Sequence, residues 1–371
     1  MPSAKVDAMT RFGFIIHPLT PKQIAKAYPI AQYLPDSVIE FFSARKGPKL
    51  MSEITGVRSK TGAETEGWFI GCPLTPDQML KKLPLEKVYE RLVQCTDMAA
   101  ELGASLIGLG AFTSVVGDGG VTIQQRSKIG VTTGNSYTVA TAIQGTIKAA
   151  HLLDIDLKNA TLAVVGATGS IGKTCARILA RDFGRTILIG RDPERTAALA
   201  AEIPNSEPST DVGDIREADV VITVSSAGKE LILPEHLRPG SIVCDVARPR
   251  DVSVRVTKER PDVLVIEGGI VRVPGNVEFN LNFGFPEKTA YACMSETMLL
   301  ALEGDSSLFN FTLGKDVTVE QVDQISRLAD KHGFELASFR SFEKEVSDDA
   351  ILRARKARIT APTIARSKPA V

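Results

Sequence analysis

The 371-residue chain predicts an α/β protein whose central part is a parallel sheet covered by helices on both faces. Three observations carry this prediction. The length exceeds what one ordinary domain holds, so two domains are expected. From Thr161 onward, short apolar runs alternate with helical patterns, the mark of strands buried on both faces. Between the first of those runs and the helix that follows stands a glycine turn, GATGSIG, at residues 166–172.

Residues 1 to about 155 alternate short strands with helices. VYERLVQCTDMAAELG (88–103) reads as an amphipathic helix closed by Gly103, and LIGLGAFTSVV (106–116) as a buried strand running into a loop. Residues 136–153 read as a second long helix, and DIDLKNA (154–160) as a polar connector. The sheet opens at Thr161 and continues through RTILIGRD (185–192), with the helix ERTAALAAEI (194–203) after it. VVITVSS (220–226), SIVCDVA (241–247) and VLVIEGG (263–269) are the further strands. PEKTAYACMSETMLLALEG (286–304) reads as a helix with Pro286 near its start and Gly304 at its end. VEQVDQISRLADKHG (319–333) makes one more, stopped by Gly333, and the tail 341–371 reads as loosely ordered with room for one helix. The expected division is an N-terminal substrate domain (1–155), a nucleotide domain (156–285), returning helices (286–340) and a basic tail extension (341–371).

Composition removes several classes of function. Lys plus Arg and Asp plus Glu both number 44, so net charge gives no reason to expect nucleic acid as a partner. No apolar run is long enough to span a bilayer, and the N-terminal residues lack the apolar core of a signal peptide, so a cytoplasmic protein is expected. Cys72, Cys95, Cys175, Cys244 and Cys293 are scattered without a CxxC pair, which fits reduced thiols. His17, His151, His236 and His332 show no ligand spacing, so no metal is expected.

Gly166, Gly169 and Gly172 give the turn a GxxGxxG spacing. Glycine allows a sharp turn and a close approach of pyrophosphate to the main chain, and the helix N-terminus adds free N–H groups and a positive dipole end. Tight strand–helix turns also arise for packing alone, but the further strands make this a dinucleotide site of the Rossmann type, formed by Gly166, Ala167, Thr168, Gly169, Ser170, Ile171 and Gly172. At the tip of the next strand stand Arg191 and Asp192, with Arg195 close behind. A guanidinium suits the 2′-phosphate of NADP, whereas Asp192 could serve as the acid of an NAD site with both arginines merely solvated. NADPH is the expected cofactor.

Cys293 is a candidate nucleophile near a helix N-terminus, which favours thiolate, and Glu296 lies three residues on along roughly the same face. The competing reading is a buried cysteine acting as a small hydrophobe. In Thr132-Thr133-Gly134-Asn135-Ser136, hydroxyls and an amide cluster where a loop meets a helix, suiting either an N-cap or ligand binding.

Several separate blocks resemble the long-chain acyl-(acyl carrier protein) reductases of cyanobacterial type, from about Phe12 to Ala337. They are GAFTSVV (110–116), TTGNSYTVA (132–140), LAVVGATGSIG (162–172), ACMSETMLLALEG (292–304), and NFTLGKDVTVE with KHGF (310–320 and 331–334). The resemblance implies that Cys293 attacks a long-chain acyl thioester of acyl carrier protein or coenzyme A. Hydride from NADPH at the glycine turn then releases a fatty aldehyde. Beside Cys293, Glu296, which could orient or exchange protons with a bound group, is the second catalytic candidate, and Thr113, Ser114, Thr133 and Asn135 are candidates for substrate binding. IIHPLTPKQ near the N-terminus, residues 270–285 and the tail beyond Phe339 depart from the family pattern, as in a divergent member.

Arg353, Arg355, Lys356 and Arg358 in the tail could steer an acidic carrier protein, or could be a solvated terminus. An aldehyde-consuming enzyme is a further expected partner, and peripheral membrane contact is left open. Two other readings stand beside the reductase: an NADP alcohol oxidoreductase related to shikimate and quinate dehydrogenases, and a non-catalytic NADP- or lipid-binding protein.

Overall fold

The structure, a computed structural model, describes residues 9–26, 32–282 and 284–360. The chain divides into two compact units, Met1–Tyr137 with Val271–Glu335, and Thr138–Ile270 with Leu336–Val371.

The first unit holds a six-stranded sheet. Strands β1 (Phe12–Ile16), β3 (Glu64–Gly71), β4 (Leu106–Leu109) and β5 (Gly130–Thr132) run parallel in the order β3-β1-β4-β5. Strand β2 (Lys49–Arg58) pairs antiparallel with β3, and Gly275–Glu278 antiparallel with β2. Helix Leu85–Glu101 covers one face because Val88, Leu92, Cys95 and Ala99 recur along one stripe and are fully buried. It comes so near the sheet that a Cβ at Gly13 would lie 2.9 Å from the Cβ of Ala99. Helix Ala292–Glu303 is buried at Ala292 and from Met294 to Leu302, and a Cβ at Gly108 of β4 would lie 2.1 Å from Thr297 Oγ1. That close approach requires glycine on β4.

The second unit is a parallel sheet in the order β8-β7-β6-β9-β10-β11, the 3-2-1-4-5-6 order of the Rossmann fold. Its strands are β6 (Thr161–Val165), β7 (Arg185–Ile189), β8 (Ser206–Ser209), β9 (Val220–Thr223), β10 (Ile242–Asp245) and β11 (Leu264–Glu267). The expected strands are thus present, while β8 is one the sequence reading lacks. Its SEPS sequence is an edge strand with no apolar alternation and a proline, so period-2 patterning has nothing to register. Asp219 links this sheet to the tail. The tail is not loose over 348–360: Asp348–Thr360 is a helix with Ala354 fully buried, Arg358 donates to Asp219 Oδ1 at 2.8 Å, and Arg355 pairs with Asp154. Residues 361–371 lie outside the described residues. Among the described residues no helix is long and apolar enough to cross a membrane, and no group of His, Cys, Asp and Glu could hold a metal ion.

Candidate active site

In the first unit the carboxyl ends of β1, β4 and β5 meet, which is where open parallel sheets bind ligands. His17 follows β1, the turn Ala111–Ser114 follows β4, and the run Thr133-Gly134-Asn135 follows β5 and opens helix Asn135–Leu152. Above them stands the N-terminus of helix Ala292–Glu303, which delivers Cys293.

That helix does not begin near Pro286, as its proline suggests. Thr289–Tyr291 is a short strand, and the helix starts at Ala292. Cys293 is therefore its second residue, closer to the dipole end than the sequence implied. The half-buried thiol lies near the backbone N–H groups of Met294 and Ala111, which favour its deprotonated form. Burial outweighs them and pushes the thiol up to about 12, with the charge of Glu296 acting in the same direction. Cys293 is thus a thiol at neutral pH, aimed among peptide N–H groups.

Those groups are rigidly held. Ala111 sits at φ +47°, a strained conformation for a residue with a Cβ. The turn is pinned by Phe112 N–H donating to His17 Nε2 at 3.2 Å, which leaves His17 Nδ1 to donate to Pro18 O at 3.1 Å. Burial holds His17 below its usual range, consistent with a neutral ring that accepts at Nε2. On the other side, a Cβ at Gly134 would lie 2.3 Å from Cys293 Cα, and Gly134 has φ +74°, so glycine is required there twice over.

Glu296 is the anchor of this arrangement. It is fully buried, and its Oε1 accepts from Thr132 Oγ1 at 2.6 Å and Thr312 Oγ1 at 2.8 Å. Its Oε2 accepts from Tyr137 N–H at 2.9 Å, and Gly134 N–H also bonds the carboxylate. Ser136 Oγ meets Thr312 Oγ1 at 2.7 Å, and Thr133 N–H donates to Thr312 O at 2.9 Å. Burial raises the Glu296 pKa, opposed by the donors from Thr132, Tyr137, Thr312 and Gly134. With its oxygens so occupied, the carboxylate clamps the Gly134 turn against Cys293.

The other candidates divide. The hydroxyls of Thr113 and Ser114 donate to Gly110 O and Ala111 O, closing their own turn. Thr133 Oγ1 is buried without a hydrogen-bond partner, and Asn135 opens its helix. Sequence reasoning passed over Ala111, His17 and Thr312. Nothing local marks them, because each acts through a neighbour far along the chain.

In the second unit the glycine turn lies where the strand order reverses, between β6 and β9. Gly166 has φ +80°, and a Cβ at Gly172 would lie 2.3 Å from Gly166 O, so the turn and helix pack as a dinucleotide site needs. Gly169 caps helix Ser170–Leu179, and Ser170 Oγ is buried at its N-terminus without a partner, a donor set for phosphate. Ala167, Thr168 and Ile171 complete the turn. Asp192 is spent as the N-cap of helix Pro193–Glu202, accepting from Arg195 N–H at 3.1 Å. Arg191 and Arg195 are exposed, and Arg195 Nη2 donates to Thr168 O at 3.3 Å, beside the turn. This set fits NADP(H): Gly166, Gly169, Gly172 and Ser170 could hold the pyrophosphate, and Arg191 and Arg195 could pair with the 2′-phosphate.

Comparison with known proteins agrees with this division. A family model described as shikimate / quinate 5-dehydrogenase matches residues 148–267, within the second unit. Over 362 residues the chain is 30% identical to the aminotransferase PigE of Serratia sp., covering 93% of this chain and 42% of that protein. It thus spans less than half the length of that relative. It is 29% identical over 315 residues to the long-chain acyl-[acyl-carrier-protein] reductase of Synechococcus elongatus, covering 81% of this chain and 90% of that one. It is 30% identical over 122 residues to the glutamyl-tRNA reductase of Sorangium cellulosum, covering 30% and 23%. The chain is therefore a distant relative of NADP-dependent reductases, carrying a Rossmann-type unit similar to that of shikimate and quinate dehydrogenases.

Proposed function

We propose that this protein reduces a long-chain acyl thioester, carried on acyl carrier protein or coenzyme A, to the fatty aldehyde through an acyl-Cys293 intermediate, with NADPH as reductant. The observation that carries the reading is the seating of Cys293 at a helix N-terminus, among peptide N–H groups and beneath a glycine turn clamped by Glu296.

Cys293 loses its proton as its sulfur attacks the thioester carbonyl, and the carrier thiol leaves with a proton. The N–H groups of Met294 and Ala111, which face the thiol, are placed to stabilise negative charge at the reacting centre. NADPH, when bound, supplies the hydride that reduces the acyl-cysteine. The Cys293 sulfur then leaves the reduced carbon and takes up a proton from solvent as the aldehyde is released. Glu296 and His17 position the reacting groups, since the hydrogen bonds of each are already engaged.

Two relatives whose names denote reduction of an activated carboxyl support this chemistry. Amino transfer, the named activity of the Serratia relative, consumes carbonyl compounds, the class of product released here. An enzyme using the aldehyde is accordingly a proposed partner. The match to the dehydrogenase family favours the alcohol oxidoreductase as the second reading, but it is confined to residues 148–267, the part both readings share.

The test is intact mass after incubation with a long-chain acyl thioester without NADPH. An acyl adduct absent in Cys293→Ala, and discharged as aldehyde when NADPH is added, is expected. No adduct on a folded, NADPH-binding protein would overturn the covalent mechanism.

A further inference from the structure

Surface helices ordinarily bury their apolar stripe and turn polar residues to water. Helix Asp36–Ser43 buries one apolar residue with two polar ones and leaves its two rings in water. Its inward face is Ile39, Glu40 and Ser43. Glu40 accepts from Thr75 Oγ1 at 3.0 Å and Lys82 Nζ at 2.6 Å, and its carbonyl accepts from Gln78 Nε2 at 2.8 Å. A polar network thus fixes which face points in. The outward face carries Phe41 and Phe42, 52% and 57% exposed, and the turn leading into the helix carries Tyr33, 90% exposed. Leu34 before the helix and Leu50 and Met51 after it are exposed as well.

Seven of the fourteen exposed large hydrophobic residues among those described fall between Leu19 and Met51. Chance scattering does not concentrate them so. The segment that follows the helix is basic: Arg45, Lys46 and Lys49 are exposed, and the Arg45 guanidinium carbon lies 3.4 Å from the centre of the Phe41 ring. Asp36 is the helix's exposed acid, because Glu40 is turned inward.

We propose that this face seats the protein on an anionic lipid bilayer, with Tyr33, Phe41 and Phe42 entering the interface and Arg45, Lys46 and Lys49 meeting the headgroups. Protruding aromatic rings bordered by basic residues are what an interfacial helix presents to lipid. The charge sign selects anionic lipid. The use of such a seat rests on the function proposed above, since a long-chain aldehyde partitions from water into a bilayer.

The experiment is flotation of the full chain with vesicles of phosphatidylglycerol and phosphatidylcholine in equal parts, and with vesicles of phosphatidylcholine alone. Wild type should float with the anionic vesicles, much less with the neutral ones, and less as salt is raised. F41S/F42S, whose side chains support no core, should keep the wild-type melting profile and lose about tenfold or more in binding. Arg45→Ser/Lys46→Ser/Lys49→Ser should abolish the preference for anionic vesicles. Cys293→Ala should float as wild type, so flotation can fail while the reductase reading stands, and the converse. Absence of flotation, or binding unchanged in both surface variants, would overturn the proposal. So would dimers lost in F41S/F42S, or flotation kept while turnover of carrier-bound acyl substrate falls, which would make the face a site for a second copy or for the carrier.

Discussion

Glu296→Gln separates a clamp from a proton carrier. In the wild type Oε1 accepts from two threonine hydroxyls and Oε2 from Tyr137 N–H. An amide keeps one acceptor oxygen but turns an NH2 group toward donors on the other side. The hydroxyls can rotate to accept in part, whereas peptide N–H groups cannot. Mismatching the buried peptide N–H donors with an NH2 group costs about 2 kcal/mol. For a unit of this size, that lowers Tm by about 4–8 °C. Because burial raises the folded pKa of Glu296, its contribution to stability is greatest in acid and is lost as pH rises through that folded value. The Tm gap between wild type and E296Q should therefore narrow from acid toward neutral pH. A loosened Gly134 turn should slow acylation of Cys293 by about 10- to 100-fold. Melting curves and the acylation rate by intact mass measure both effects. A variant that melts like the wild type yet no longer acylates would refute the clamp and return Glu296 to proton transfer.

Two further outcomes follow from the geometry. With the Cys293 thiol pushed up to about 12 by burial, its alkylation by iodoacetamide should rise about tenfold per pH unit through the neutral and mildly alkaline range, and a plateau near neutrality would show a preformed thiolate. Arg191→Ala/Arg195→Ala should raise the KM for NADPH about 10- to 100-fold while leaving NADH unchanged; equal losses with both cofactors would remove these arginines from the 2′-phosphate site.

How far the sequence speaks depends on the range of the interaction that matters. Strands β6, β7, β9, β10 and β11 were legible because each is a continuous apolar run, and the glycine turn because its spacing lies within seven residues. Cys293 and Glu296 share one helix, so their pairing could be read along the chain, though the helix start could not. Pro286 favours helix initiation locally, but pairing of Thr289–Tyr291 into a small sheet takes those residues for a strand. The tail's basic cluster was visible, yet its partners Asp154 and Asp219 are distant in sequence, so its packing was not.

By itself the sequence determined the α/β class and the glycine turn that opens the Rossmann-type sheet, since each is written in neighbouring residues, while Cys293 became the foremost candidate only through family resemblance. Tertiary structure alone decided what surrounds that thiol. Thr132 and Thr312 reach one carboxylate across 180 residues, and His17 holds Phe112 from 95 residues away. It likewise decided that Phe41 and Phe42 face outward, because Glu40 finds Thr75 and Lys82 on the inside. Periodicity shows that a helix has two faces, but only the partners brought by folding choose which of them is buried.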